Sequence, residues 1–239
     1  MPNLSLVVLS LRYSSWSMRA WLALQHAGAE FETRTVVLSD MGSATPTQLR
    51  AKRWAQGSVA GVFPVLHVGD TAIHEALAIC EWAAEAYPAA QLLPAASLDR
   101  ARARAVSCEM AAGFPNLRAN LSCHVFARVP GYVPDDPTRA EIERVFELWG
   151  ESLERSGGPF LFGAFGVADV MYFPVLTRFR TYGVTLPQAL QGYAASVEAQ
   201  PAVVAWRRAA LTAPRIPRYD EYVRGLGGDP NAALRETSE

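Results

Sequence analysis

The spacing of apolar residues changes character partway along the chain. Leu6-Val7-Val8-Leu9 is a short continuous apolar run, the pattern of a buried strand. Met18, Trp21 and Leu22 then recur at helical spacing, and Gly28 supplies a stop signal. Phe31 to Leu38 reads as a second strand. A Gly-, Ser- and Thr-rich loop follows, and Thr47 to Trp54 reads as a short helix. Phe63 to Val68 and Thr71 to His74, joined across Gly69-Asp70, predict a hairpin. From Glu75 to Tyr87 the pattern is helical, with Ile79, Trp82, Ala83 and Ala86 on one face and Pro88 as its end. This order predicts a small α/β domain over residues 1–87.

Beyond Pro88 the strand signals stop. Residues 88–97 read as a linker, and 98–211 as an all-helical domain. Its expected helices are Leu98 to Val125, bent near Gly113 and Pro115, then Thr138 to Arg155, Val167 to Tyr182, Leu190 to Gln200 and Pro201 to Leu211. Residues 212–239 carry Pro214, Pro217, Gly225, Gly227 and Gly228 and read as a loosely attached tail.

Composition narrows the possibilities. The chain has 239 residues, half of them hydrophobic, and a net charge of −1, so no nucleic-acid surface is expected. Arg100, Arg102 and Arg104 are dense, but steps of two spread them around a helix. Cys80, Cys108 and Cys123 are an odd count without metal-ligand spacing, which points to no metal, no disulfide framework and a reducing cytoplasm. Met1-Pro2-Asn3 has no basic region, so no secretory signal is expected, and no apolar stretch approaches the roughly 18 residues of a membrane span.

The chemistry concentrates at the first strand-to-helix corner, Tyr13-Ser14-Ser15-Trp16-Ser17-Met18-Arg19. One reading is local: a serine caps the helix and the others are turn residues. The other uses the unpaired N–H groups and dipole of a helix start to hold an anion, including the thiolate of a ligand. A hydrogen bond to a charged group contributes about 1.5–3 kcal/mol and one pKa unit is about 1.36 kcal/mol, so one serine can lower a bound thiol's pKa by roughly 1–2. Ser14 and Ser17 stand at the offset of a redox CxxC, but oxygen in place of sulfur rules out disulfide exchange there. Phe63-Pro64 reads as trans from the residues alone, since about 5–6% of X–Pro bonds are cis. Glu75 either favours the helix dipole or holds a ligand's ammonium group.

Together these segments resemble the glutathione transferase superfamily, in its serine-type and zeta-like branches. The resemblance rests on Tyr13 to Arg19, Phe63 to Leu66, Ala72 to Trp82, Pro159 to Gly163 with Val167-Ala168-Asp169, and Pro201 to Trp206. It implies a thioredoxin-like N-terminal domain, an all-α C-terminal domain, a homodimer and glutathione as co-substrate. Ser14 corresponds to the serine that hydrogen-bonds the glutathione sulfur, with Ser15 and Ser17 as nearby catalytic candidates. Pro64 corresponds to the cis-proline, and the backbone of Phe63 to the partner of the cysteinyl unit. Glu75 and Ala76 match the pair that holds the γ-glutamyl end, and Asp169 the acidic member of a helix-capping motif. Met110, Phe114 and Arg118 are candidates for a second-substrate pocket.

Four positions depart from the family pattern. Ala76 stands where a serine is common, Val62 and Phe63 stand where a Lys or Gln followed by Val is frequent before the proline, and Gly166 replaces a hydroxyl cap. The implied activity is a cytoplasmic, detoxifying transferase that activates the glutathione thiol toward a small apolar electrophile. Its alternatives are glutathione-dependent cis–trans isomerisation of a maleyl-type diacid, favoured by Arg12, Arg19 or Arg118 near the pocket, and a non-catalytic relative with a degraded site. His74 and His124 have no obvious partner and read as structural.

Overall fold

Strand β1 (Leu4–Val8) lies inside a four-stranded sheet of order β2-β1-β3-β4. It pairs parallel with β2 (Phe31–Thr35) and antiparallel with β3 (Val65–Val68), which forms a hairpin with β4 (Thr71–His74). The computed structural model describes residues 3–36 and 61–236 and, between them, Thr47, Arg50, Trp54, Gly57 and Ser58. The expected helix from Thr47 to Trp54 therefore lies largely outside the described residues.

Both faces of β1 are covered, which is why its apolar residues run on without strict alternation. Leu4, Leu6 and Val8 join the main core, while Val7 packs with Phe63 and Val65 on the opposite face. Helix α1 (Ser15–His26) follows β1, and α2 (Ala76–Ala86) follows β4 and packs on α1. The chain then runs through a 3₁₀ turn at Pro88–Ala90 and an extended stretch. That stretch is fastened to the helical domain by the Val167 N–H donating to the Leu92 carbonyl at 2.8 Å.

The helical domain comprises α3 (Ser97–Ala112), α4 (Pro115–Asn120), α5 (Asp136–Ser156), α6 (Val167–Tyr182), α7 (Gln188–Glu198) and α8 (Pro201–Thr212). The long helix expected to 125 is interrupted, not bent. Gly113 is extended, Phe114 adopts φ 57°, and Pro115 starts a new helix that ends at Asn120. Cys123 to Val125 are therefore not helical. Helix α6 runs through the centre: all but one of its residues are buried, and it packs on α1 and α3. Its start is held by the Asp169 carboxylate, which accepts the Gly166 N–H at 2.9 Å and the Leu161 N–H at 3.1 Å. Glycine at 166 supplies no hydroxyl, so the acidic half of the cap acts alone.

The segment after Thr212, which its prolines and glycines mark as loose, is instead packed. It forms α9 (Pro217–Gly225) and α10 (Ala232–Glu236). Val223 is fully buried, Arg128 and Asp229 exchange backbone hydrogen bonds at 3.0 and 2.8 Å, and Ala233 donates to the Phe126 carbonyl. Pro217 serves as the first residue of α9, a position where its missing N–H has no cost.

Burial pushes the Asp169 carboxyl up to about 7, against the opposing pull of the Leu161 and Gly166 N–H groups and the Tyr193 hydroxyl. Replacing Asp169 by Ala strands two buried N–H donors at roughly 1–3 kcal/mol each. Asp169→Ala is therefore expected to lose about 2–6 kcal/mol in urea unfolding, with the far-ultraviolet spectrum of the folded state retained.

Candidate active site

Register brings the corner, the proline and the acidic helix start to one end of the sheet. Val7, near the end of β1, pairs with Val65, and Val65 pairs with His74. Pro64 immediately precedes Val65, and Glu75 immediately follows His74. The β1–α1 loop, Phe63-Pro64 and Glu75-Ala76 therefore cluster at one end of the sheet. The Phe63–Pro64 bond is cis, where the residues alone predicted trans.

The three serines have distinct positions. Ser14 is the N-cap of α1, and its Oγ accepts the Ser17 N–H at 3.2 Å. A hydroxyl that accepts at a lone pair keeps its proton for a second partner, and Ser14 retains 9% exposure. Ser17 is fully buried, with its Oγ accepting the Leu9 N–H at 3.1 Å, so it ties strand to helix and presents nothing to a ligand. Ser15 turns toward the helical domain, where the Arg178 Nη2 donates to its Oγ at 3.4 Å.

Tyr13 is equally committed. Its hydroxyl donates to Asp220 at 2.8 Å, and its ring stacks on Tyr219 with centroids 4.8 Å apart. Asp220 also meets His124 Nε2 at 2.9 Å, so His124 has a partner that the sequence did not reveal. The His124 Nδ1 accepts the Phe126 N–H at 3.4 Å, which leaves Nε2 to donate to Asp220. Burial lowers the His124 pKa, only partly offset by Asp220. Burial alone would raise the Asp220 carboxyl, but His124, Tyr13 and Arg215 outweigh it and hold it below the ordinary range.

Glu75 sits at the head of α2 with φ 72°, a backbone conformation that costs a side-chain-bearing residue about 1–3 kcal/mol. Its side chain is exposed and makes no capping bond, so the carboxylate faces outward from the strained turn. Ala76 is buried at the first helical position, where its N–H has no partner within the helix. Val62 is exposed, Phe63 and Pro64 are buried, and the Ser58 hydroxyl donates to the Val62 carbonyl.

A cavity of about 390 Å³ opens beside the corner, lined by Ser15, Trp16, Pro115, Arg118, Ala119 and Arg178. Of the residues expected to line a second-substrate pocket, only Arg118 does. Met110 is fully buried in the core, and Phe114 rests edge-on against Tyr172. Arg178 was not anticipated; its signal is an arginine inside the otherwise apolar run Phe173-Pro174-Val175-Leu176-Thr177-Arg178-Phe179. Arg12 does not line this cavity; its Nη2 donates to the Ala210 and Leu211 carbonyls, while its Nε and Nη1 are buried without a hydrogen-bond partner. A larger cavity of about 640 Å³ lies beneath the linker and shares no residue with the corner.

A thioredoxin-like sheet domain with a helical domain docked on α1 defines the architecture. The chain belongs to the glutathione S-transferase superfamily. Residues 13–86 match the family model for the glutathione S-transferase N-terminal domain and residues 95–209 that for the C-terminal domain. Members of this superfamily use glutathione as co-substrate. The chain is 25% identical over 206 residues to a protein of Vibrio cholerae serotype O1 named "Probable maleylacetoacetate isomerase", covering 83% of this chain and 94% of that one. Its fold is similar to that of a glutathione transferase homolog from Burkholderia gl BGR1 solved with bound glutathione (TM-score 0.65, 23% identity, 87% of this chain and 97% of that one). It is also similar to the theta class glutathione S-transferase of Xanthomonas axonopodis pv. citri with glutathione bound (TM-score 0.62, 25% identity, 89% and 99%). Among the described residues no helix is long and apolar enough to cross a membrane.

The Tyr13–Asp220–His124 contacts make the seating of α9 sensitive to acid. Both His124 and Asp220 have folded pKa values below their ordinary ones of 6.5 and 3.8, so each favours the folded state above that value and loses the contribution as pH falls. Stability should decline on acidification from about pH 6.5 and again below about 3.8. Asp220→Ala should lower stability at pH 7 by roughly 1.5–3 kcal/mol and flatten this dependence in a series of urea titrations.

Proposed function

We propose that the chain is a glutathione transferase in which the Ser14 hydroxyl stabilises the ionised thiol of glutathione for attack on a small electrophile. The observation that carries this reading is the position of Ser14 at the mouth of α1, at the end of the sheet that also presents Pro64 and Glu75. Glutathione would run across that end of the sheet. Its cysteinyl backbone pairs with the main chain at Phe63, and its γ-glutamyl ammonium meets the outward-facing Glu75 carboxylate. Its γ-glutamyl carboxylate meets the free N–H groups at the start of α2, which include that of Ala76. These N–H groups replace the hydroxyl that Ala76 lacks. The Xanthomonas relative supports the reading by holding glutathione on a similar fold.

Catalysis then has two parts. The Ser14 O–H and the dipole of α1 favour the thiolate, and the cleft between the domains positions the electrophile against it. Tyr13 and Ser17 hold the corner in shape without touching the sulfur. In this reading the protein works in the cytoplasm as a homodimer; its cysteines are unpaired, as that compartment requires. A second reading is isomerisation of a small diacid through a transient glutathione adduct. The Vibrio relative and the presence of Arg118 on the cavity favour it.

The test is the acidity of bound glutathione, followed by thiolate ultraviolet absorbance across pH. Ser14→Ala should raise the bound thiol's pKa by roughly 1–2 and slow conjugation about 10- to 100-fold, because it removes about 1.5–3 kcal/mol of thiolate stabilisation. Ser17→Ala should lower thermal stability and leave that pKa unchanged. An unaltered thiol pKa in Ser14→Ala, or no glutathione binding to the wild-type protein by calorimetry at millimolar concentration, would overturn the reading.

A further inference from the structure

The corner that carries Ser14 is gripped by a part of the chain lying past the family's C-terminal domain, whose match ends at residue 209. Three holds come from the helical side. The Val125 N–H donates to the Arg12 carbonyl at 3.3 Å, and the Arg12 Nη2 donates to the Ala210 and Leu211 carbonyls of α8 at 3.5 and 3.2 Å. The Tyr13 hydroxyl donates to the Asp220 Oδ1, with the Tyr13 ring stacked on Tyr219 and edge-on to His124. Tyr13 and Asp220 are 3% and 4% exposed, so this bond is shielded from water. Two of the three holds, at Ala210-Leu211 and Tyr219-Asp220, therefore lie outside the family match.

The grip is firm at its far end and needed at its near end. Helix α9 is seated independently of Tyr13: Val223 is fully buried, and Gly228 packs so closely that a Cβ there would stand 2.7 Å from the Arg128 carbonyl oxygen. Asp220 is itself held, by His124 Nε2 at Oδ1 and by Arg215 Nη1 at Oδ2. The corner, by contrast, has left the sheet. Its own bonds are the Ser10 Oγ accepting the Arg12 and Tyr13 N–H groups, and the Ser14 N–H reaching the Ser10 carbonyl at 3.3 Å. A carboxylate bonded to the residue before Ser14 would by its charge disfavour a thiolate, so what Asp220 offers the corner is an acceptor oxygen.

We propose that Asp220 is a positioning residue for Ser14, acting through the Tyr13 hydroxyl to fix the direction in which the Ser14 O–H meets the glutathione sulfur. The proposal rests on the glutathione reading above and adds to it a participant from beyond the family's two domains. Tyr13 and Ser14 share a planar peptide group, so displacement of Tyr13 moves the Ser14 nitrogen with it. A displacement of about 1 Å at a reacting group can cost on the order of 100-fold in rate. Phe63, Glu75 and Ala76, which hold the rest of glutathione in that reading, belong to other segments of the chain. Loss of Asp220 should therefore act on the ionisation of the thiol and on kcat, and leave KM for glutathione nearly unchanged.

Thiolate absorbance of bound glutathione across pH, with steady-state kinetics, tests this at a temperature where each variant is folded. Asp220→Ala and Tyr13→Phe should each raise the thiol's pKa by roughly 0.5–1 and lower kcat about 3- to 10-fold, with KM for glutathione within about twofold. The two changes remove one bond, so the double variant should lose no more than the worse single one. Asp220→Asn keeps the acceptor oxygen without the charge and should restore the wild-type pKa or fall below it. Tyr13→Phe carries the test should Asp220→Ala fail to fold. Hydrogen exchange needs no ligand: the Tyr13 to Ser17 amides should exchange about tenfold faster in Asp220→Ala and recover in Asp220→Asn. An unchanged thiol pKa in both Tyr13→Phe and Asp220→Ala, unaltered amide exchange in Asp220→Ala, or equal shifts in Asp220→Asn and Asp220→Ala would overturn the proposal. Ser14→Ala in the same assay separates the two claims. If it shifts the thiol pKa and Tyr13→Phe does not, the positioning role alone falls. If it does not, or if the wild-type protein binds no glutathione, the glutathione reading falls and takes this role with it.

Discussion

The structure depends on how the first strand hands over to the first helix. At the end of β1 the Leu9 N–H leaves the sheet and would be unpaired, yet it is caught by the Ser17 hydroxyl, three residues into the next element. Ser14 closes the same turn from the other side by accepting the Ser17 N–H. These two bonds fix the rotation of α1 about its axis. That rotation leaves Ser14 at the end of the sheet and turns Ser15 toward the helical domain. It also carries Arg19 inward against α6, where the Met171 carbonyl receives it. A helix rotated by one residue would exchange these roles, and the same sequence would present a different chemistry.

Most of the architecture was readable because it is local. The period of Ile79, Trp82 and Ala83, the punctuation by Pro88 and Gly157, and the hairpin across Gly69-Asp70 need only neighbouring residues to be recognised. The errors came where a partner lies far along the chain. Prolines and glycines correctly mark turns near residues 214–228, but they carry no information about Tyr13, which holds Asp220 from 207 positions away. Phe114 fits a helical period, yet the Gly113 and Pro115 flanking it force a left-handed turn that sends the ring into the core.

The candidate site was legible in the same uneven way. Ser14, Pro64 and Glu75 stand at element ends, where sequence position nearly fixes spatial position once the sheet register is known. The second-substrate side is built from helix faces that meet only in the tertiary fold. A helical repeat names several apolar residues there and does not rank them. Met110 and Phe114 satisfied the repeat and proved to be packing. Arg178 violated it and proved to border the cavity. A charged residue inside an apolar helix is therefore the more informative sign, because burial of a guanidinium needs a reason that a buried methionine does not.

The clasp formed by Tyr13, His124 and Asp220 has a consequence for how the molecule comes apart. A helix near the C-terminus grips a residue of the first turn, so the ends of the chain are sewn to each other across both domains. Opening the sheet domain away from the helical one would break the bond from Tyr13 to Asp220, so this last stitch opposes their separation. The two halves should melt as a single cooperative unit, and shortening the chain from its far end would slacken the corner where it begins.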